Sequence, residues 1–110
     1  MITNQTLIDA GIFSLKSRGV TSRNITGVFC CDLLSIAMGK APAGCAWVTV
    51  IANKNTLAVA SLADVSCIIL AEGVSLSEAD LSCAVQEGIT VFETSLPVFD
   101  AALKIKELLS

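Results

Sequence analysis

The chain has 110 residues, 54% of them apolar and 15% charged; this length holds one domain, residues 1–110, around one core. A formal net charge of −3 and a pI near 4.7 argue against a general nucleic-acid binder. Mean hydropathy is +0.76, but the longest weakly charged run, Asn55–Ala71, is broken by Asp64 and falls short of the ~20 apolar residues of a membrane span.

In chain order, Thr3 is placed to cap a helix over Asn4–Ala10, with Leu7 and Ile8 inward and Gly11 ending it. Gly11–Leu15 reads as extended, and residues 16–24 as a polar loop containing Lys16, Arg18 and Arg23. Ile25–Cys30 reads as a strand weakened by Gly27, and Asp32–Met38 as a helix stopped by Gly39. Cys45–Ile51, CAWVTVI, is the clearest strand, and its unbroken apolar run suits burial on both faces. A helix follows over Thr56–Ala63, apolar on every side, so something must cover it all round.

Ser66–Leu70 reads as another buried strand. Ser75 or Ser77 then caps a helix to about Gln86, with Gly88 past its end. Thr90–Phe92 is a short strand, and Pro97–Leu109 a helix with Phe99, Ala102, Leu103 and Leu108 assigned to its buried side. Strand–helix alternation of this kind predicts α/β architecture with a mostly parallel sheet. The N-terminus lacks a basic stretch followed by an apolar one, so a cytoplasmic protein is expected.

Ligands of parallel sheets bind beyond the carboxyl ends of the strands. That edge gathers Cys31 and Asp32, then Asn53, Lys54 and Asn55, then Glu72 and Gly73, and finally Thr94 and Ser95. These are the candidate ligand-binding residues, suited to a nucleotide or small anion because the loops also open helices. Asn53 or Asn55 can equally cap its own helix. Adjacent strand residues point to opposite sides, so Cys30 is expected inward and Cys31 outward, near a helix start where a thiol can be activated.

The five cysteines form no CxxC pair and there is no histidine, so no metal site, cofactor or Cys–His nucleophile is expected. Cys45, Cys67 and Cys83 are assigned to packing. No P-loop, GxGxxG, HExxH or GxSxG motif occurs, so no enzyme activity is assigned. The surplus of apolar residues predicts a covered surface. Leu57, Val59, Ala60 and Ala63 on the all-apolar helix are the candidate homodimer contacts, with no membrane and no nucleic acid as partner.

The ordered motifs DLLS (32–35), GCAWVT (44–49), AVASLADV (58–65), IILAEG (68–73) and EGI (87–89), with the closing Thr94-Ser95-Leu96 pattern, resemble the short stand-alone members of the DRTGG-domain family. The resemblance implies a three-layer α/β/α fold akin to the N-terminal domain of HPr kinase/phosphorylase. It implies a non-catalytic regulatory or assembly module that dimerises, an adaptor in a redox or hydrogenase-associated system. A small-ligand sensor and a thiol-based redox sensor are the alternatives. The chain departs from the family at its two name-giving loops: Asn53-Lys54 stands in place of Asp-Arg, and Ala71-Glu72-Gly73 in place of Thr-Gly-Gly.

Overall fold

A computed structural model describes residues 2–110. Helix α1, Asn4–Ala10, follows the two-residue strand β1, Ile2–Thr3, and starts as its sequence dictates. The Thr3 hydroxyl accepts from the Thr6 amide at 3.3 Å while the Thr6 hydroxyl accepts from the Thr3 amide at 3.0 Å. Gly11 closes the helix at φ +66°, a backbone region open to glycine at little cost.

The next strands are β2 (Ser14–Ser17), β3 (Asn24–Ile25) and β4 (Gly27–Cys30). Three strand–helix repeats then run from β4 through α2 (Leu34–Lys40), β5 (Cys45–Thr49), α3 (Lys54–Ala63), β6 (Cys67–Leu70) and α4 (Glu78–Glu87) to β7 (Val91–Glu93), and α5 (Val98–Leu109) follows. β4, β5, β6 and β7 lie side by side, all parallel, and β2 adds antiparallel to β7. β1 and β3 form a separate two-stranded ribbon.

The pleat divides the core. One face carries Ala46, Val48, Cys67, Ile69 and Phe92 and is covered by α1 and α5; Leu7, Ala101 and Ile105 seal it. The other face carries Cys45, Trp47, Ile68, Leu70 and Val91 beneath α2, α3 and α4, which contribute Ala37, Leu57, Val59, Ala60 and Ala84. This is a mixed α/β protein with helices on both faces of a mostly parallel sheet, as the alternation predicted. No helix among the described residues is long and apolar enough to cross a membrane.

The structure corrects several sequence expectations. Residues 14–17 are a strand, and the stretch read as Ile25–Cys30 splits at Thr26 between the ribbon and the sheet. Asp32 is outside α2, which starts at Leu34. The thiol orientations are reversed: Cys30 is exposed, while Cys31 is half-buried against the cluster containing Trp47 and Ala37. Cys30 lies open because β4 is an edge strand.

Helix α5 is turned by about a third of a revolution from the expected face, and of the residues assigned to that face Ala102 alone packs against the core. Ala101 and Ile105 are buried, whereas Phe99 is 70% exposed and Leu103 and Leu108 also face solvent. Both stripes are apolar at a four-residue spacing, and docking on β4 and β5 selects the narrower one.

Helix α3 is the middle helix of its layer. Leu57, Val59 and Ala60 are at most 4% exposed, packed within their own chain, and Ala63 is half-buried. The all-round apolar character of α3 therefore reflects cover by the sheet and neighbouring helices, and the expected dimer contacts at Leu57, Val59 and Ala60 are withdrawn. Its outward apolar residues are Ala58 and Leu62.

Candidate functional site

The loops leaving β4, β5, β6 and β7 meet at one sheet edge, and internal hydrogen bonds occupy most of their polar groups. Asp32 uses Oδ1 to accept from the Thr49 hydroxyl at 2.8 Å and the Val50 amide at 2.9 Å. It thus ties the end of β4 to the end of β5, a fixed role for a carboxylate placed on the candidate list. Cys31 donates its thiol hydrogen to the Leu33 carbonyl, with Sγ at 3.4 Å, and its own carbonyl accepts from Trp47 Nε1 at 3.0 Å.

Asn53 caps α3, accepting from the amides of Asn55 at 2.8 Å and Thr56 at 3.4 Å. Lys54 and Asn55 are exposed on the first turn. The loop after β6 turns through Glu72 at φ +60° and Gly73 at φ +77°. Its amides are spent on the next loop: Glu72 N–H reaches the Leu96 carbonyl at 2.9 Å and Gly73 N–H the Thr94 carbonyl at 3.0 Å.

What remains open is a shallow cleft of about 290 Å³ lined by Ser14, Lys16, Gly73, Val74, Glu93, Thr94 and Ser95. It unites Gly73, Thr94 and Ser95 from the candidate list; Cys31, Asp32, Asn53, Lys54, Asn55 and Glu72 do not line it. Lys16 and Glu93 were missed as site residues. Lys16 belongs to a stretch read as loop, and only its pairing with the distant β7 brings it to this edge. The cleft holds both signs of charge, and Ser75 donates to Glu93 Oε1 at 3.0 Å.

A second, more enclosed cleft of about 200 Å³ lies at the opposite edge, where Val20 and Arg23 meet Asp64, Ser66, Glu87 and Thr90. Arg23 is engaged there, 2.9 Å from Asp64 Oδ1 and donating to the Asp64 carbonyl at 2.6 Å. The basic residues of the 16–24 stretch are thus split between the two edges and do not form one anion site.

Cys30, Cys45, Cys67 and Cys83 are all harder to ionise than a free cysteine. Burial and then the Asp32 charge raise Cys30. Burial raises Cys45 to about 11 and also raises the fully buried Cys67. Cys83 packs half-buried on α4 against the core cluster, as expected, and donates to Glu87 Oε2 at 2.7 Å, which raises it.

These directions predict alkaline sensitivity. A thiol pKa raised on folding favours the native state fully below the unfolded value of 9.0, and that contribution is lost as pH climbs to about 11 for Cys45. The urea midpoint is expected to stay level near neutrality, fall above pH 9, and fall less steeply in Cys45→Ala. Equal slopes for the two proteins would contradict this assignment.

Among the described residues no group of three His, Cys, Asp or Glu side chains is placed to hold a metal. No protein-family model matches the chain, and no curated protein matches it.

Proposed function

We propose that this chain is a non-catalytic regulatory or assembly module that acts as a homodimer. The observation that carries the reading is exposed apolar surface on two helices. Helix α2 buries only Ala37 fully and leaves Leu33, just before it, and Ile36 and Met38 in solvent; α5 adds Phe99 and Leu103. Large apolar side chains left in solvent in groups mark contact surfaces. The contacts belong on α2 and α5, the helices that flank β4, in place of the buried side of α3.

The motif set resembling the DRTGG-domain family supports the same reading. It brings with it a fold akin to the N-terminal domain of HPr kinase/phosphorylase, a cytoplasmic setting, and a role as adaptor to another protein of a redox or hydrogenase-associated system. The ligand-sensor alternative is weaker, because Glu93 offsets Lys16 in the carboxyl-edge cleft. Nothing in the geometry favours a redox sensor at Cys31.

Size-exclusion chromatography with light scattering tests the proposal. The expected mass at micromolar protein is twice that of one chain, falling toward one on dilution. A single-chain mass at every concentration overturns it.

A further inference from the structure

The two edges of the five-stranded sheet are built differently. An unpaired edge offers free backbone N–H and C=O groups to any other strand, and proteins blunt such edges with lysine, proline or a bulge. The β2 edge is blunted twice: it carries Lys16, and its register against β7 slips between Leu15 and Ser17. The β4 edge, Gly27-Val28-Phe29-Cys30, has no charge, no proline and no such slip.

The pairing of β4 with β5 fixes which groups are free. Cys31 N–H donates to the Val48 carbonyl, and the register sets Gly27 against Cys45 and Phe29 against Trp47. On the β5 strand, the Cys45 and Thr49 carbonyls accept from Ser66 and Ala71 on the β6 side, so Ala46 and Val48 serve β4. A parallel ladder couples a bonded residue with a non-bonded one at each pair. Phe29 therefore turns its main-chain groups to β5, and Val28 and Cys30 turn theirs outward; at the start of the strand the Thr26 N–H donates to the Gly44 carbonyl at 2.9 Å.

We propose that two copies of the chain join through their β4 edges, antiparallel about a two-fold axis at Phe29, so that the two sheets run on as one. This rests on the assembly reading above and specifies its interface. In that register Val28 of each copy lies opposite Cys30 of the other. Each of these two pairs exchanges two hydrogen bonds, and all four outward main-chain groups of each β4 are satisfied. The two Phe29 side chains become a close, non-hydrogen-bonded cross-strand pair.

The flanking helices complete the patch. With right-handed crossovers from β4 to β7, α2 and α5 flank β4 on opposite faces, and the winding of α5 turns its Phe99–Leu103 stripe toward the open side. Ile36 of α2 faces the same way across the sheet. All of these side chains are exposed in the single chain.

Charge selects a second copy in the antiparallel sense. Lys40 ends α2 at the amino end of β4, and Asp32 stands at its carboxyl end. The two-fold axis brings each Lys40 toward the other copy's Asp32. A standard interface needs about 800 Å² per partner, a modest share of the 5435 Å² surface.

Amide hydrogen exchange with sedimentation velocity tests the proposal on the full chain. In the dimer, the amides of Val28 and Cys30 are protected as well as that of Phe29. Cys30→Pro removes one outward N–H without touching the β4–β5 ladder, and Phe99→Asp changes an exposed helix residue, so both monomers fold. Each is expected to weaken dimerisation at least about tenfold, and to return Val28 to fast exchange while Phe29 stays protected. A dimer whose Val28 and Cys30 amides exchange freely, or one unaffected by both substitutions, overturns this interface and leaves the assembly reading standing. A wild-type monomer overturns both.

Discussion

Trp47→Ala is expected to lower the unfolding free energy by about 3–5 kcal/mol. Trp47 is the only tryptophan and is fully buried in the middle of β5, between Phe29 on β4 and Ile68 on β6. Its ring fills the layer beneath α2 and α3, so truncation leaves a cavity that neighbours held by the sheet ladder cannot fill. The indole N–H also caps the Cys31 carbonyl where the chain leaves β4. Domains of this size are stable by about 5–15 kcal/mol, so the variant should sit near its unfolding threshold. Urea titration followed by far-ultraviolet circular dichroism measures the loss without the fluorophore. Trp47→Phe keeps most of the volume and loses the hydrogen bond, and should cost clearly less. A loss under 1 kcal/mol for Trp47→Ala would mean the ring is not the centre of this layer.

Asn4 carries the second large effect. Its side chain is fully buried, and Nδ2 donates to the Ser66 carbonyl at 2.8 Å and the Val20 carbonyl at 3.0 Å. One amide thus joins the first turn of α1 to the loop entering β6 and to the loop before β3. Asn4→Ala leaves both carbonyls short of a donor, at about 1–3 kcal/mol for each group left unsatisfied. Asn4→Asp is the sharper test. It keeps the shape but, when ionised, can only accept, so it sets a carboxylate against two carbonyl oxygens. It should be less stable than Asn4→Ala at neutral pH and regain part of the difference in acid, where the carboxyl can donate. Urea midpoints at both pH values decide; equal stability of the Asp variant and wild type would remove Asn4 from this role.

Local signals were legible where the physics is local. The Thr3 cap, the Gly11 and Gly88 helix stops, the Asn53 and Ser77 caps and the buried run of β5 all follow from residues within a few positions of each other. The parallel order followed as well, because each strand–helix repeat returns beside its predecessor.

Features set by distant neighbours were not legible. SLKS at 14–17 carries no strong strand pattern and is a strand because β7 offers it an edge. Gly19 sits in a stretch that reads as a polar loop, yet a Cβ there would overlap the Gly88 carbonyl oxygen, a packing constraint no local pattern shows. The stripe that α5 buries is settled by contact with β4, and the exposure of Cys30 by the position of β4 at the edge. The internal partners of the candidate residues were hidden for a related reason. Asp32 and Asn53 are polar residues at the right edge, but each already serves a neighbouring backbone group.

The pairing of β2 with β7 sets Leu15 beside Phe92. A chain growing from its amino end can order β4 to β6 early, but its first sheet strand has no template until Val91–Glu93 has been made. Closing so long a loop is entropically slow. During synthesis the segment around Phe13 and Leu15 would therefore stay greasy and unpaired until β7 has been made, open meanwhile to association with other chains.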